Sequence, residues 1–373
     1  MSFRFLLTAD WQIGKPFGNV PGDAGSALRT QRVATVAKLA ELARTREVDA
    51  VLVAGDAFDS NQVHDRTLFQ ALGALQGYGG PWIFLPGNHD AALTHSVWTR
   101  LRSKDPPPNV VVADRAEPIE LQNARVAVLP APLRRQREVL DQTEWFDDAA
   151  TSDGTIRVGL AHGSVAGRLP AQAEASNAID PERATRAGLS YLALGDWHGA
   201  LQIGPRTWYS GTPETDRHRS NDSGLAHVVT IDGPGAPARV EAVRVGHFHW
   251  IKLDIELVDG TADRAIAALA DLEAEVSRSV VALRLSGSIS LGERHRLDRE
   301  LERWQARFHH LDMDLAGLKD EPTADDLDAI DTGGFVRLAI ERLKAKAGDP
   351  LHPDTAAARV ALRMIYLDHL RQR

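Results

Sequence analysis

Along the first 250 residues, apolar positions fall into short runs of strand length, each stopped by Gly, Pro or a polar cluster. Phe3-Arg4-Phe5-Leu6-Leu7-Thr8 is one such run and delivers Asp10-Trp11-Gln12. Ala50 to Ala54 delivers Gly55-Asp56-Ala57-Phe58-Asp59, and Pro81 to Leu85 delivers Gly87-Asn88-His89-Asp90. Apolar runs of this length bounded by turn residues read as buried strands. Between the first two, Leu28, Val33, Val36, Leu39, Ala40 and Leu42 have helical spacing, and a second helix is expected over His64 to Leu75. Strand-helix-strand units in succession imply a parallel sheet with polar loops at the carboxyl ends of its strands.

Beyond Pro106-Pro107-Pro108, strands are expected at Val110 to Val112, Ile119 to Leu121 and Val126 to Leu129. Ile156 to Ala161 then ends at His162, and Tyr191 to Leu194 ends at Gly195-Asp196-Trp197-His198. Five strands thus discharge a ligand-type residue at the same end. Trp208 to Thr212, Ala226 to Ile231 and Ala238 to Val245 complete a second sheet. From about Trp250 the order becomes strand (Ile251 to Leu257), helix (Ala262 to Val276), strand (Val280 to Leu285), helix (Glu293 to Gln305) and strand (His309 to Leu315), a small α+β domain. Pro322 with Asp325, Asp326 and Asp328 suits a linker, and helices over Phe335 to Lys346 and Thr355 to Leu370 finish the chain. The expected division is 1–247, 248–320 and 321–373.

Composition narrows the chemistry. With 373 residues, two or three domains are expected, and 43% apolar with 25% charged residues describes a soluble globular protein. The absence of cysteine excludes disulfides, thiolate metal sites and thiol nucleophiles. The N-terminal apolar run is too short for a signal peptide, and no stretch approaches the roughly 20 apolar residues that span a bilayer, so a cytoplasmic protein without membrane contact is expected. Net charge is -8, so any nucleic-acid contact must come from local patches. Arg134 and Arg135, and Arg217 and Arg219, follow strand ends and suit a phosphate backbone, while Trp197 could stack on a base.

The strand-end residues form the candidate site: Asp10, Gln12, Asp56, Asn88, His162, Asp196 and His198. Oxygen and imidazole donors without sulfur suit Mn²⁺, Mg²⁺, Fe²⁺ or Zn²⁺. A carboxylate from a central strand, Asp56, can bridge two cations. Cations about 3.5 to 4 Å apart polarise a phosphoryl group and supply hydroxide near neutrality, so no side-chain nucleophile is needed. His89 would protonate the leaving alkoxide, with Asp90 orienting it.

Asp10-x-Gln12, Gly55-Asp56-x-x-Asp59, Gly87-Asn88-His89-Asp90, Ala161-His162-Gly163 and Gly195-Asp196-Trp197-His198 resemble the five ordered motifs of the calcineurin-like metallophosphoesterases. The GNHD ending, the GDxFD form and the added C-terminal domain are most similar to the DNA-repair nuclease branch, the SbcD-like subunits that work with a coiled-coil ATPase. The resemblance implies a four-layer α/β/β/α sandwich with a small α+β capping domain and C-terminal helices. It implies one metal held by Asp10, residue 12, Asp56 and His198, and another by Asp56, Asn88, His162 and residue 196, with Mn²⁺ the first expectation. It also implies a two-metal exonuclease and single-strand endonuclease, with DNA and an SMC-like ATPase as partners, the ATPase docking on the C-terminal helices; a homodimer is left open. Two positions depart from the family pattern, Gln12 and Asp196 standing where His is usual. Two other readings stay open: a small-molecule or cyclic-nucleotide phosphodiesterase of the same superfamily, and a catalytically weak DNA- or partner-binding module.

Overall fold

The computed structural model describes residues 2–122, 125–170, 176–321, 323, 326 and 335–371, in two compact units, Met1–Phe248 and His249–Arg373. In the first unit, β1 (Phe3–Thr8), β2 (Ala50–Val53), β3 (Trp82–Phe84) and β4 (Val110–Val112) run parallel, and β11 (Leu225–Ile231) and β12 (Arg239–Arg244) extend the sheet antiparallel past β1. A second six-stranded sheet has the order β5 (Ile119–Leu121), β6 (Val126–Ala131), β7 (Ile156–His162), β8 (Tyr191–Gly195), β10 (Thr207–Tyr209), β9 (Leu201–Gly204), with β6, β7, β8 and β10 parallel.

The two-residue period of the strands sorts side chains into layers. On one face of the first sheet, Leu6, Val51, Val53, Trp82 and Phe84 pack under α1 (Gly22–Thr45), α2 (Asp65–Ala74) and α3 (Val97–Arg102), whose buried faces supply Val36, Leu39, Leu68 and Trp98. On the other, Phe3, Phe5, Leu7, Leu52 and Ile83 meet Val126, Val128, Val158, Leu160 and Tyr191 of the second sheet. The outer face of the second sheet, with Ala127, Leu129, Leu192 and Leu194, is covered by Phe146, Ile179, Ala184 and Leu189 around the short α4 (Arg183–Arg186). This is the expected α/β/β/α layering.

The second unit holds β13 (His249–Gly260), β14 (Ser279–Ile289) and β15 (His310–Asp320), all parallel, linked through α5 (Asp263–Ala270) and α6 (Leu291–Gln305). Ile255, Leu257, Leu283 and Leu285 face Leu269, Leu297, Leu301 and Trp304 of the helices. Exposed Lys252, Asp254, Arg284 and Asp314 alternate with them and pair as Lys252–Asp254 and Arg284–Asp314, so the opposite face is solvated. The C-terminal helices α7 (Phe335–Gly348) and α8 (Thr355–Arg371) share a core of Ile340, Ala347, Ala358 and Leu362 with Leu291. The expected linker residues Pro322, Asp325 and Asp328 lie outside the described residues.

Candidate metal centre

Parallel strands deliver their C-terminal loops to one edge, and here the loops are tied to one another. Asp10 N donates to Gly55 O at 3.0 Å and Gln12 N to Asp56 O at 2.9 Å, so the loops after β1 and β2 run as one layer. Leu133 N donates to Pro86 O and Gly163 N to Gly195 O, joining the loops after β6 and β3 and those after β7 and β8. Asp10, Gln12, Asp56 and Asp196 all take positive φ, 54°, 48°, 52° and 101°. Such conformations cost of order 1 to 3 kcal/mol each and persist where the surroundings over-determine them. Glycine is required where the loops cross: a Cβ on Gly55, at φ +89°, would sit 2.1 Å from His162 Nδ1, and one on Gly87 would sit 2.3 Å from Asp56 Oδ1.

One ligand atom each from Asp10, Asp56 and His162 lies within 4.8 Å of the others, and all three residues are buried. His162 Nδ1 lies 2.8 Å from the Ala54 carbonyl oxygen and donates to it, which turns Nε2 into the site. There Nε2 is 2.8 Å from Asn88 Oδ1, 3.6 Å from Asp56 Oδ2 and 3.9 Å from Asp196 Oδ1. A neutral imidazole would place its lone pair against three oxygen acceptors. A second proton on His162 or a cation within reach of them all relieves this, and the oxygen and imidazole donor set fits a divalent metal.

The electrostatics agree. Burial opposes charge on His162, yet Asp56, Asp10 and Asp196 together outweigh it and lift the imidazole to about 9. Burial pushes the Asp10 carboxyl up to about 6 against the pull of His198 and His162. Asp196 is also raised by burial, despite His162 and the hydroxyl of Ser164, which donates to it at 2.9 Å. Carboxylates crowded out of water in this way favour a bound cation.

The remaining expected residues divide. His198 lies with Nε2 4.0 Å from Asp10 Oδ1. Gln12 turns its amide nitrogen to Asp56 Oδ2 at 2.9 Å and so orients that carboxylate. The exposed His89 donates its backbone N–H to Asp56 Oδ1 at 2.9 Å, and its Nδ1 lies 2.9 Å from Asp59 O. Asp90 therefore does not play the orienting part expected of it. Its buried carboxylate accepts from Gly87 N at 2.7 Å and Phe58 N at 3.1 Å, tying its own loop, and burial beside Asp56 pushes it up to about 7. A cleft of about 280 Å³ opens over the centre, walled by Trp197, Arg217 and Arg219 among others. Arg134 and Arg135, expected to meet substrate, are exposed but are not among its walls; Gln136 and Arg137 are, because the loop turns between them.

The family description Calcineurin-like phosphoesterase matches residues 3–200, more than half of the chain. The chain belongs to the calcineurin-like phosphoesterases. The SbcD component of the nuclease SbcCD of Escherichia coli is 36% identical over 94 residues, which is 24% of this chain and 22% of that protein. The proteins of the same description from Bacillus subtilis and Rhodobacter capsulatus are each 27% identical, over 61% and 70% of this chain and 65% and 68% of their own lengths. The chain thus aligns with about a fifth of the first relative and about two thirds of the others.

This phosphoesterase also has site residues that sequence reasoning missed, Arg32 within the family match and Asp216 past it. Buried Asp216 sits 3.2 Å from His198 Nδ1, 2.5 Å from Lys15 Nζ and 3.0 Å from Arg217 Nε. Burial would raise its carboxyl, but His198, Arg32 and Lys15 hold it well below the ordinary range. A carboxylate behind a metal-facing histidine fixes tautomer and ring orientation. Buried Arg32 of α1 donates to Trp11 O at 2.5 Å, Asp10 O at 3.2 Å, Glu214 O at 3.1 Å and Thr212 Oγ1 at 3.1 Å, stitching the first ligand loop to the segment after β10. Neither carries a signal in the sequence beyond charge, since each acts through contacts up to 201 residues away for Asp216 and 182 for Arg32.

Proposed function

We propose that this phosphoesterase is the two-metal DNA nuclease of a repair complex, an exonuclease and single-strand endonuclease that works in the cytoplasm with an SMC-like ATPase. The observation that carries it is the meeting of Asp10, Asp56, Asn88, His162 and His198 at the floor of a cleft walled by Arg137, Arg217 and Arg219. Asp10, Asp56 and His198 would hold one cation and Asp56, Asn88, His162 and Asp196 the other, with Mn²⁺ preferred. Gln12 orients Asp56 through its nitrogen and would reach the first cation only through the oxygen of the same amide. The chemistry such cations supply is Lewis-acid activation of water and of the phosphoryl group.

The chain's own residues do the rest. Asp56 presents both oxygens with fixed geometry, one set by the His89 amide and one by Gln12. Nδ1 of His89 is engaged with Asp59 O, which leaves Nε2 toward the cleft as the group that hands a proton to the leaving oxygen. Arg217 and Arg219 face the phosphate backbone, and the Arg219 guanidinium lies 5.8 Å over the Trp197 ring, a platform on which a base can stack. Residues 1–247 would form the catalytic domain, 248–320 a cap and 321–373 the docking segment. On that segment Leu338, Val360 and Met364 are 54%, 57% and 66% exposed and suit a partner helix.

The relatives named as components of the SbcCD nuclease favour DNA over a small diester. Asp56→Asn should lower Mn²⁺-dependent hydrolysis of bis-p-nitrophenyl phosphate, single strands and linear duplex by at least about a hundredfold. Equal hydrolysis by both proteins removes the metal mechanism. Hydrolysis of the small diester alone by the unaltered protein removes the nuclease reading in favour of a small-molecule phosphodiesterase.

A further inference from the structure

The loop after β6 carries Gln136 and Arg137 on the wall of the metal cleft, and two residues further on Val139 is 97% exposed and Leu140 71%. Single exposed aliphatics are ordinary on a protein surface. Here two branched side chains are adjacent, on a loop that is held at both ends. Ala92 N donates to Leu133 O at 2.8 Å before it, and Arg134 N to Glu138 Oε1 at 3.1 Å within it. Glu138 N donates to Asn177 Oδ1 at 2.7 Å, and Asn177 Nδ2 to Gln136 O at 3.4 Å. Just beyond, Asp141 accepts from Thr143 N at 2.8 Å and pairs with Arg183 at 2.9 Å. Leu140 also lines, with His162 and Asn177, a small void behind the ligating histidine. The apolar pair therefore projects from an anchored loop whose Gln136 and Arg137 stand on the wall of the cleft.

We propose that Val139 and Leu140 form a wedge that enters the end of a DNA duplex, parts its terminal base pair and feeds the freed strand to the metal cleft. The inference rests on the nuclease reading and specifies its substrate, a duplex end. The occupant follows from charge: in a chain of net charge -8, Arg134, Arg135 and Arg137 precede the pair on the same loop, and Arg137, Arg217 and Arg219 wall the cleft beside it. Arginines that hold the phosphate backbone beside an apolar tip are the arrangement in which side chains insert between base steps. Trp197, with Arg219 over its ring, offers a stacking surface for the displaced base.

The test compares the full-length protein with V139S/L140S and with Val139→Ser alone, whose exposed position keeps the fold safe. A blunt duplex with 2-aminopurine at its terminal base and phosphorothioate linkages that resist cleavage should brighten at least twofold with the unaltered protein. The double variant should give no rise. Cleavage of duplex ends should fall about tenfold in the double variant and at least threefold in Val139→Ser, and Val139→Ser should keep single-strand and bis-p-nitrophenyl phosphate hydrolysis within twofold of normal. An undiminished fluorescence rise with undiminished duplex cleavage overturns the wedge and leaves the nuclease reading standing. So does an equal loss of all three activities, which would make the pair a support of the metal site, and so does a loss confined to capture of an ATPase partner. If the unaltered protein hydrolyses the small diester but no DNA, the nuclease reading itself has failed and takes the wedge with it.

Discussion

Asp216 concentrates three demands in one carboxylate: it faces His198, Lys15 and Arg217 while lying almost wholly out of water. Removing its charge leaves a cationic cluster without its counter-ion and frees the His198 ring to turn. Asp216→Asn should therefore weaken Mn²⁺ binding 10- to 100-fold, the usual cost of losing a partner behind a ligand. Calorimetric titration with Mn²⁺ checks this, and an unchanged affinity would show that His198 is held by other means. At this scale the sequence was legible where chemistry and local order coincide. Asp10, Asp56, Asn88, His162 and His198 each end or closely follow an apolar run, so their place at a strand end could be inferred. Asp216 and Arg32 follow no such run, and what they touch is decided by tertiary packing. The Asp90 expectation failed for a related reason: adjacency in sequence suggested a partner for His89, but the loop turns Asp90 inward to its own amides.

Among the elements, those marked by an apolar run between turn residues were legible whatever their length, and those with a brief mixed pattern were not. β1, β4 and β5 have the expected bounds, because apolar residues stopped by turn residues leave little room for another reading. α3 is six residues long, too short for a helical period, and owes its start to a capping box in which Ser96 accepts from Thr99 N and Thr99 Oγ1 accepts from Ser96 N. β9 is a four-residue edge strand, and its Leu201-Gln202-Ile203-Gly204 pattern is too brief to stand out. The C-terminal helices divide by face. Leu362 is fully buried in their shared core, whereas Val360 and Met364 point to solvent. Leu362→Ala should destabilise the second unit by about 2 to 5 kcal/mol. V360S/M364S should change stability by less than about 0.5 kcal/mol yet abolish capture by a coiled-coil ATPase. Urea unfolding and co-purification with that ATPase measure the two, and undiminished capture would remove the docking role.

Over the whole molecule, the metal centre belongs to neither sheet. Asp10, Asp56 and Asn88 come from the first and His162, Asp196 and His198 from the second, so a bound cation joins two layers that also meet through their apolar faces and through loop hydrogen bonds such as His162 Nδ1 to Ala54 O. The layering was legible because buried strands carry apolar residues on both faces, and the convergence because five strands end in ligand-type residues. The loop after β6 was legible as a neighbour of the cleft, but that Arg137 rather than Arg134 or Arg135 would wall it was not, since this depends on the path of the loop. Mn²⁺ at about 100 times its dissociation constant should add roughly 2.7 kcal/mol to the stability of the first unit. Thermal unfolding with and without EDTA measures it, and Asp56→Asn protein should show no cation-dependent shift.

The pairing of β1 with β11 puts the first strand made beside one of the last of its unit, Phe3 against Ile231. A chain emerging from the ribosome therefore cannot pair β1 with β11 until the segment from Phe3 through Ile231 has been synthesised, and both imidazoles, at 162 and 198, come well after the carboxylates at 10 and 56. A half-made chain has carboxylates but no finished cutting centre, so translation order alone withholds the hydrolytic power of the protein until its frame is complete.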